Sequence, residues 1–206
     1  MEIHIISNGV MTVEELTRKM LTIHENVDYL HIREKTKTVA EINELVSNLL
    51  HHGVDRNKIV INDRLDVVLL QNLINLHLPG HSFPIETVKK YAPSLRVGKS
   101  VHSLNEAIES EEAGADYLLF GHIFSTDSKA NLPPRGVKQL EEICKSVKIP
   151  VIAIGGIVPE TIKHITNINI GGIAMMSHIL ASEQPAEALR TIKERLVEEE
   201  QDGESL

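Results

Sequence analysis

The chain has 206 residues, 42% of them hydrophobic and 24% charged, enough for one well-buried domain and unlike a disordered, collagen-like or disulfide-scaffold protein. A formal charge of −8, with aromatic residues at only 3% and no Trp, argues against coating nucleic acid or an anionic membrane. Cys144 stands alone, which excludes an intrachain disulfide and a cysteine-rich zinc site; with no membrane-length apolar run and no signal pattern in the first ten residues, a cytoplasmic protein is expected.

Strand-like and helix-like stretches then alternate along the chain. A strand is expected at 3–6 and a helix at 13–24, opened by Thr12 with Glu15 at the capping-box position. Next come a strand at 27–32 and a helix at 38–52, closed by Gly53. Strands at 58–61, 73–78 and 95–99 are followed by helices at 65–71, 85–91 and 104–112, the last opened by Ser103 with Glu106. A strand at 117–120 leads to a helix at 137–146, and a strand at 151–154 to a helix at 160–166, with Pro159 in its first turn. The series ends with a strand at 172–175, a helix at 185–199 and a polar tail, 198–206, expected to fray. The strands are β-branched and Leu-rich with little alternation, as when both faces are covered. Eight units of about 26 residues suit a single (β/α)8 TIM barrel near its lower size limit better than an open doubly wound sheet.

A barrel of this kind works at the C-terminal ends of its strands. There the sequence places His31-Ile-Arg33-Glu-Lys35, Asn62-Asp63-Arg64, His77 through Ser82, Gly98-Lys99-Ser100-Val-His102, Gly121 through Lys129, Gly155-Gly156-Ile157 and Ser177-His178. Polar, cationic and glycine residues therefore gather at one rim. Gly155-Gly156 and Met176-Ser177 end strands seven and eight, where barrels commonly bind phosphate through backbone N–H groups.

In order, HIREK, INDR, GKSVH, ADYLLFGHIF, PVIAIGGI and GIAMMS resemble the thiamin phosphate synthase superfamily along essentially the whole chain. GH before the sixth loop and the segment FSTDSK are more similar to its thiazole tautomerase branch, TenI. The resemblance implies a cofactor-free isomerase of thiamin biosynthesis. Its substrate would be a carboxylated, phosphorylated dihydrothiazole with an exocyclic double bond, and its product the aromatic carboxythiazole phosphate.

On that resemblance His122 is the catalyst, a side chain type able to take and give a proton near neutrality. Gly155, Gly156, Met176 and Ser177 bind the phosphate. Arg33 and Lys35 match cations that meet pyrophosphate in the synthases and here grip a carboxylate. Asn62, Ser100 and Lys129 complete the substrate set, with Thr126 and Ser128 beside Lys129 on loop six. The structural alternatives are Arg33 or Lys35 pairing with Glu34 or Asp63, His122 bonded only to a loop carbonyl, and His102 and Met175 as scaffold. His51, His52 and His164 read as surface residues.

No metal and no cofactor are expected. In the synthases two aspartates hold magnesium; Asp63 matches the first position, and Ile74 stands in the strand-four stretch where the second would fall, with no oxygen to offer. The small-molecule thiazole is the expected partner, without nucleic acid or membrane, and homo-oligomerisation is left open. Two alternatives stand beside the isomerase: a weak or relic thiamin phosphate synthase requiring magnesium, and a non-catalytic regulatory barrel.

Overall fold

A computed structural model describes residues 1–126, 129 and 132–203. Eight parallel strands close into one barrel in chain order: β1 (Glu2–Ile6), β2 (Tyr29–Ile32), β3 (Ile59–Asn62), β4 (Asn75–Leu78), β5 (Arg96–Val101), β6 (Tyr117–Gly121), β7 (Val151–Ile154) and β8 (Gly172–Met175). Closure is direct, with Ile3 of β1 opposite Ile173 of β8. Around them lie α1 (Val13–Leu21), α2 (Val39–His51), α3 (Leu65–Leu70), α4 (Ile85–Tyr91), α5 (Leu104–Glu112), α6 (Gly136–Ser146), α7 (Pro159–Ile162), α8 (Ser177–Leu180) and α9 (Pro185–Gly203).

Local chemistry sets the helix boundaries. Thr12 Oγ1 accepts from the Glu15 N–H, and Thr38 with Glu41 closes a full capping box ahead of α2. Ser103 caps α5 through the Glu106 N–H, but the Glu106 carboxylate reaches back one residue further, to the His102 N–H at 2.7 Å. Gly53 sits at φ +85° just past α2, the left-handed conformation that ends a helix. Helix α9 runs through Gly203 rather than fraying from 198; Arg195 pairs with Glu198 and Glu199, bracing its last turns. Residues 204–206 lie outside the described chain. Helix α8 was not anticipated, because four residues are too few to show a period. Among the described residues no helix is long and apolar enough to cross a membrane.

Strand side chains alternate between two environments. Ile3, Ile5, Leu30, Ile32, Leu76 and Leu78 face the helices in the large core. Ile6, Tyr117, Leu119, Ile152 and Ala174 form a smaller cluster inside the barrel. The rest of the lumen is polar. The Arg96 guanidinium lies 4.5 Å from the Tyr29 ring centre and 4.2 Å from that of Tyr117. Glu2 Oε2 accepts from His4 Nε2 at 3.1 Å, so His4 Nδ1 is bare and accepts from His31 Nε2 at 2.9 Å. The His31 ring centre is 5.7 Å from that of His77.

Burial holds all three imidazoles below the usual histidine range, His31 well below it and His77 down to about 3. The unfolded chain takes up these protons from pH ~6.5 downward while the native state resists, so falling pH favours unfolding. For His77 the loss approaches about 1.4 kcal/mol per pH unit between roughly 6 and 3. Denaturant titrations of wild type and His77→Gln across that interval are expected to show a shallower pH dependence in the variant.

Candidate active site

At the C-terminal mouth of the barrel lies a cavity of about 670 Å³. Every anticipated site residue borders it: His122, Arg33, Lys35, Asn62, Ser100, Lys129, Gly155, Gly156, Met176 and Ser177. His31, His77, His81 and His102 border it too. Ser128 lies outside the described residues, so the loop-six group is described only through Thr126 and Lys129.

His122 follows β6 and is only 6% exposed. Its Nε2 lies 3.2 Å from the Leu132 carbonyl oxygen, which can only accept, so the proton resides on Nε2 and Nδ1 keeps its lone pair. This is the loop-carbonyl bond anticipated for a scaffold histidine, but it belongs to a side chain in the cavity wall. The preceding strand end is braced: the Gly121 carbonyl accepts from the Arg135 guanidinium at 3.2 Å and lies 3.0 Å from His102 Nδ1. Arg135 was not singled out in the sequence, and no motif there marks it.

Glycine geometry shapes the adjoining wall. Gly155 has φ +99°, and a Cβ on it would overlap the His122 Cβ. Gly156 has φ +67°, and a Cβ there would run into Phe124 and the Ser125 carbonyl. A bulky residue at Gly156 therefore disrupts the loop itself, whatever it does to a phosphate. The N–H groups of Gly156 and Ser177 have no acceptor among the described residues. Ser177 opens α8, whose far end is held by the buried Lys19 ammonium donating to the Leu180 and Ser182 carbonyls. Met175 is buried in the core, as anticipated.

Charge is distributed unevenly. Among the described residues no carboxylate lines the cavity, whereas Arg33, Lys35 and Lys129 do. Burial lowers the pKa of Arg33, and burial followed by Arg135, Arg33 and Lys35 lowers that of Lys129. Glu34 does not neutralise them: its carboxylate takes Lys37 at 2.5 Å and the Gly9 N–H at 3.2 Å. Nor does Asp63 hold Arg33; it lies in a side recess of about 280 Å³, with His81 Nε2 at 3.8 Å. Arg33 and Lys35 form no ion pair among the described residues, leaving their charge available to a ligand.

The sequence model for thiamine monophosphate synthase (TMP-TENI) matches residues 4–179. The chain belongs to that family. A thiamine-phosphate synthase of Pyrococcus horikoshii is 40% identical over 139 residues, 68% of this chain and 67% of the relative. Another, from Clostridium botulinum, is 32% identical and spans 89% of this chain and 86% of its own. A solved thiamine phosphate pyrophosphorylase from Pyrococcus furiosus superposes with a TM-score of 0.81 at 30% identity, covering 96% of both chains. A 3-hexulose-6-phosphate synthase with a TM-score of 0.76 and 13% identity shares the fold alone.

Membership in this family makes the metal question concrete, and one expectation needs correction. Ile74 is not at a metal position: it precedes β4 at the N-terminal end of the barrel, 41% exposed, and its carbonyl accepts from the Arg96 N–H. A strand's first residue and its last lie at opposite ends of a barrel, so Ile74 says nothing about the mouth. The donors at the mouth do. No group of three or more His, Cys, Asp or Glu that could hold a metal assembles among the described residues; Asp63 shares its recess with Glu34, whose carboxylate is paired with Lys37. Magnesium, which keeps several waters and is held by one or two carboxylates together with substrate phosphates, would have Asp63 as its protein ligand there. Asp127 lies outside the described residues.

Because Gly155 leaves the space that His122 occupies, Gly155→Ala is expected to displace the histidine and to strain a left-handed backbone, costing about 1–3 kcal/mol. Thermal denaturation should register roughly 2–4 °C per kcal/mol for a chain of this size. Turnover should fall by more than the loss of folded protein explains.

Proposed function

We propose that the protein is a thiazole tautomerase acting on a carboxylated dihydrothiazole phosphate. The observation that carries this reading is the pairing of a three-cation cavity, with no carboxylate among the described residues that line it, and a wall histidine, His122, whose Nδ1 is bare. Arg33 and Lys35 take the substrate carboxylate, Arg33 through paired N–H donors. The Gly156 and Ser177 N–H groups, with Gly155 and Met176 shaping the turn, take the phosphate. Lys129 balances the remaining negative charge, and Asn62 and Ser100 flank the ring.

The chemistry needs one proton moved between two carbons. His122 Nδ1 removes the proton at ring C2, acidified by the neighbouring carboxylate and the conjugated ring. The electron pair shifts through the ring to the exocyclic double bond. The resulting imidazolium, its Nε2–H held by the Leu132 carbonyl, returns the proton to the exocyclic carbon, and the ring becomes aromatic. No net proton, electron or leaving group enters or leaves.

A second reading is coupling of a pyrophosphorylated pyrimidine to the thiazole phosphate, favoured by the names of the relatives, which are synthases. The same three cations would meet the departing pyrophosphate. Against it, no cluster of three or more metal-ligating side chains forms among the described residues, so the magnesium such a displacement draws on would rest on Asp63 and the substrate's own phosphates.

His122→Asn is expected to lower kcat by about 10² to 10⁴ with little change in KM, since the anion grips remain. Steady-state assay of the aromatisation checks this, and an unimpaired kcat removes His122 from the mechanism. EDTA should leave wild-type turnover unchanged. Magnesium-dependent formation of thiamin phosphate, with no aromatisation, would establish the second reading instead.

A further inference from the structure

A polar relay in the lumen plays no part in the chemistry above. Tyr117 opens β6, is fully buried, and lies over Gly98 of β5, where a Cβ would overlap its phenol ring. Its hydroxyl is 3.2 Å from Nδ1 of His77 on β4. The other imidazole nitrogen, Nε2, is 2.8 Å from Oγ of Ser100 on β5. His77 and Ser100 both border the cavity.

Burial keeps His77 neutral at working pH, so its ring carries one proton for two neighbours. If Nδ1 held it, the Tyr117 oxygen would accept, and its own hydrogen would need another acceptor. The Tyr117 hydroxyl has no partner besides His77 among the described residues, and a fully buried O–H cannot turn to water. The proton therefore sits on Nε2: Tyr117 donates to Nδ1, Nε2–H donates to Ser100 Oγ, and the Ser100 hydrogen is released toward the cavity. Among the described residues no carboxylate lines the cavity, so none of them offers that hydrogen an anion.

We infer that Tyr117 and His77 are positioning residues that orient the Ser100 hydroxyl as a hydrogen-bond donor into the cavity, selecting an anionic oxygen of the ligand at that point. Identifying this oxygen as the thiazole carboxylate rests on the function proposed above. Neither residue touches the ligand through a group of its own: both nitrogens of His77 are engaged, and Tyr117 is screened by it.

Calorimetric affinities for the aromatic carboxythiazole phosphate and for its decarboxylated counterpart test the idea. Ser100→Ala should reduce the preference for the carboxylated ligand by about 10- to 100-fold, the worth of a hydrogen bond to a charged group. Tyr117→Phe should reduce it in the same direction, and in the Ser100→Ala background it should cost nothing more. Additive losses, or an unchanged preference in Ser100→Ala, overturn the inference. Nitrogen-15 NMR of the unliganded protein reads the relay directly: His77 is expected protonated on Nε2 in the wild type, with Nδ1–H appearing in Tyr117→Phe. A wild-type Nδ1–H also overturns it, and this holds if Tyr117→Phe fails to fold. Failure of the wild type to bind either thiazole would instead count against the proposed function, leaving the NMR result to decide the relay.

Discussion

Closing eight parallel strands on themselves forces every strand to send alternate side chains into a narrow lumen. In this protein that constraint meets polar residues on β1, β2, β4 and β5: His4, Tyr29 with His31, His77, and Arg96 with Ser100. Polar groups in such a space must satisfy one another. They do so by stacking and by relayed hydrogen bonds, from Glu2 through His4 to His31, and from Tyr117 through His77 to Ser100. The proton arrangement of the lumen is thereby fixed before any ligand arrives.

The same constraint carries the strand ends to one rim, where positive charge collects. Burial disfavours the charged forms of Arg33 and Lys129, and at Lys129 the neighbouring cations add to it. An anionic ligand reverses that penalty. Glu34 is the acidic side chain adjacent in sequence to both Arg33 and Lys35, and Lys37 draws it away into its own pair. The cavity is left with unpaired cations and free backbone donors among the described residues.

The His122 imidazole is held from several sides. Gly155 supplies room for His122, the Leu132 carbonyl fixes its tautomer, and His102 with Arg135 anchors the carbonyl that precedes it. A positive-φ glycine beside His122 is a backbone requirement, since a Cβ there would occupy the space of the imidazole-bearing side chain.

Period, cap chemistry and chain order are local properties, so the eight strand–helix repeats, most helix caps and the set of residues at the strand ends were legible along the chain. The sequence also pointed to the family, through six short motifs in order. Four residues of α8 carried too little period to be seen. The Glu2-Ile-His4, Tyr29-Leu-His31 and Asn75-Leu-His77 alternation is present in the sequence, but in one dimension a polar lumen and a solvent face look alike. Only the tertiary structure decided that Ile74 lies at the far end of the barrel and that Lys37, not Arg33 or Lys35, pairs with Glu34. The buried tyrosine and histidine that control Ser100 also appeared only there. These are contacts between strands and loops brought together by closure, and closure leaves no local mark on the chain.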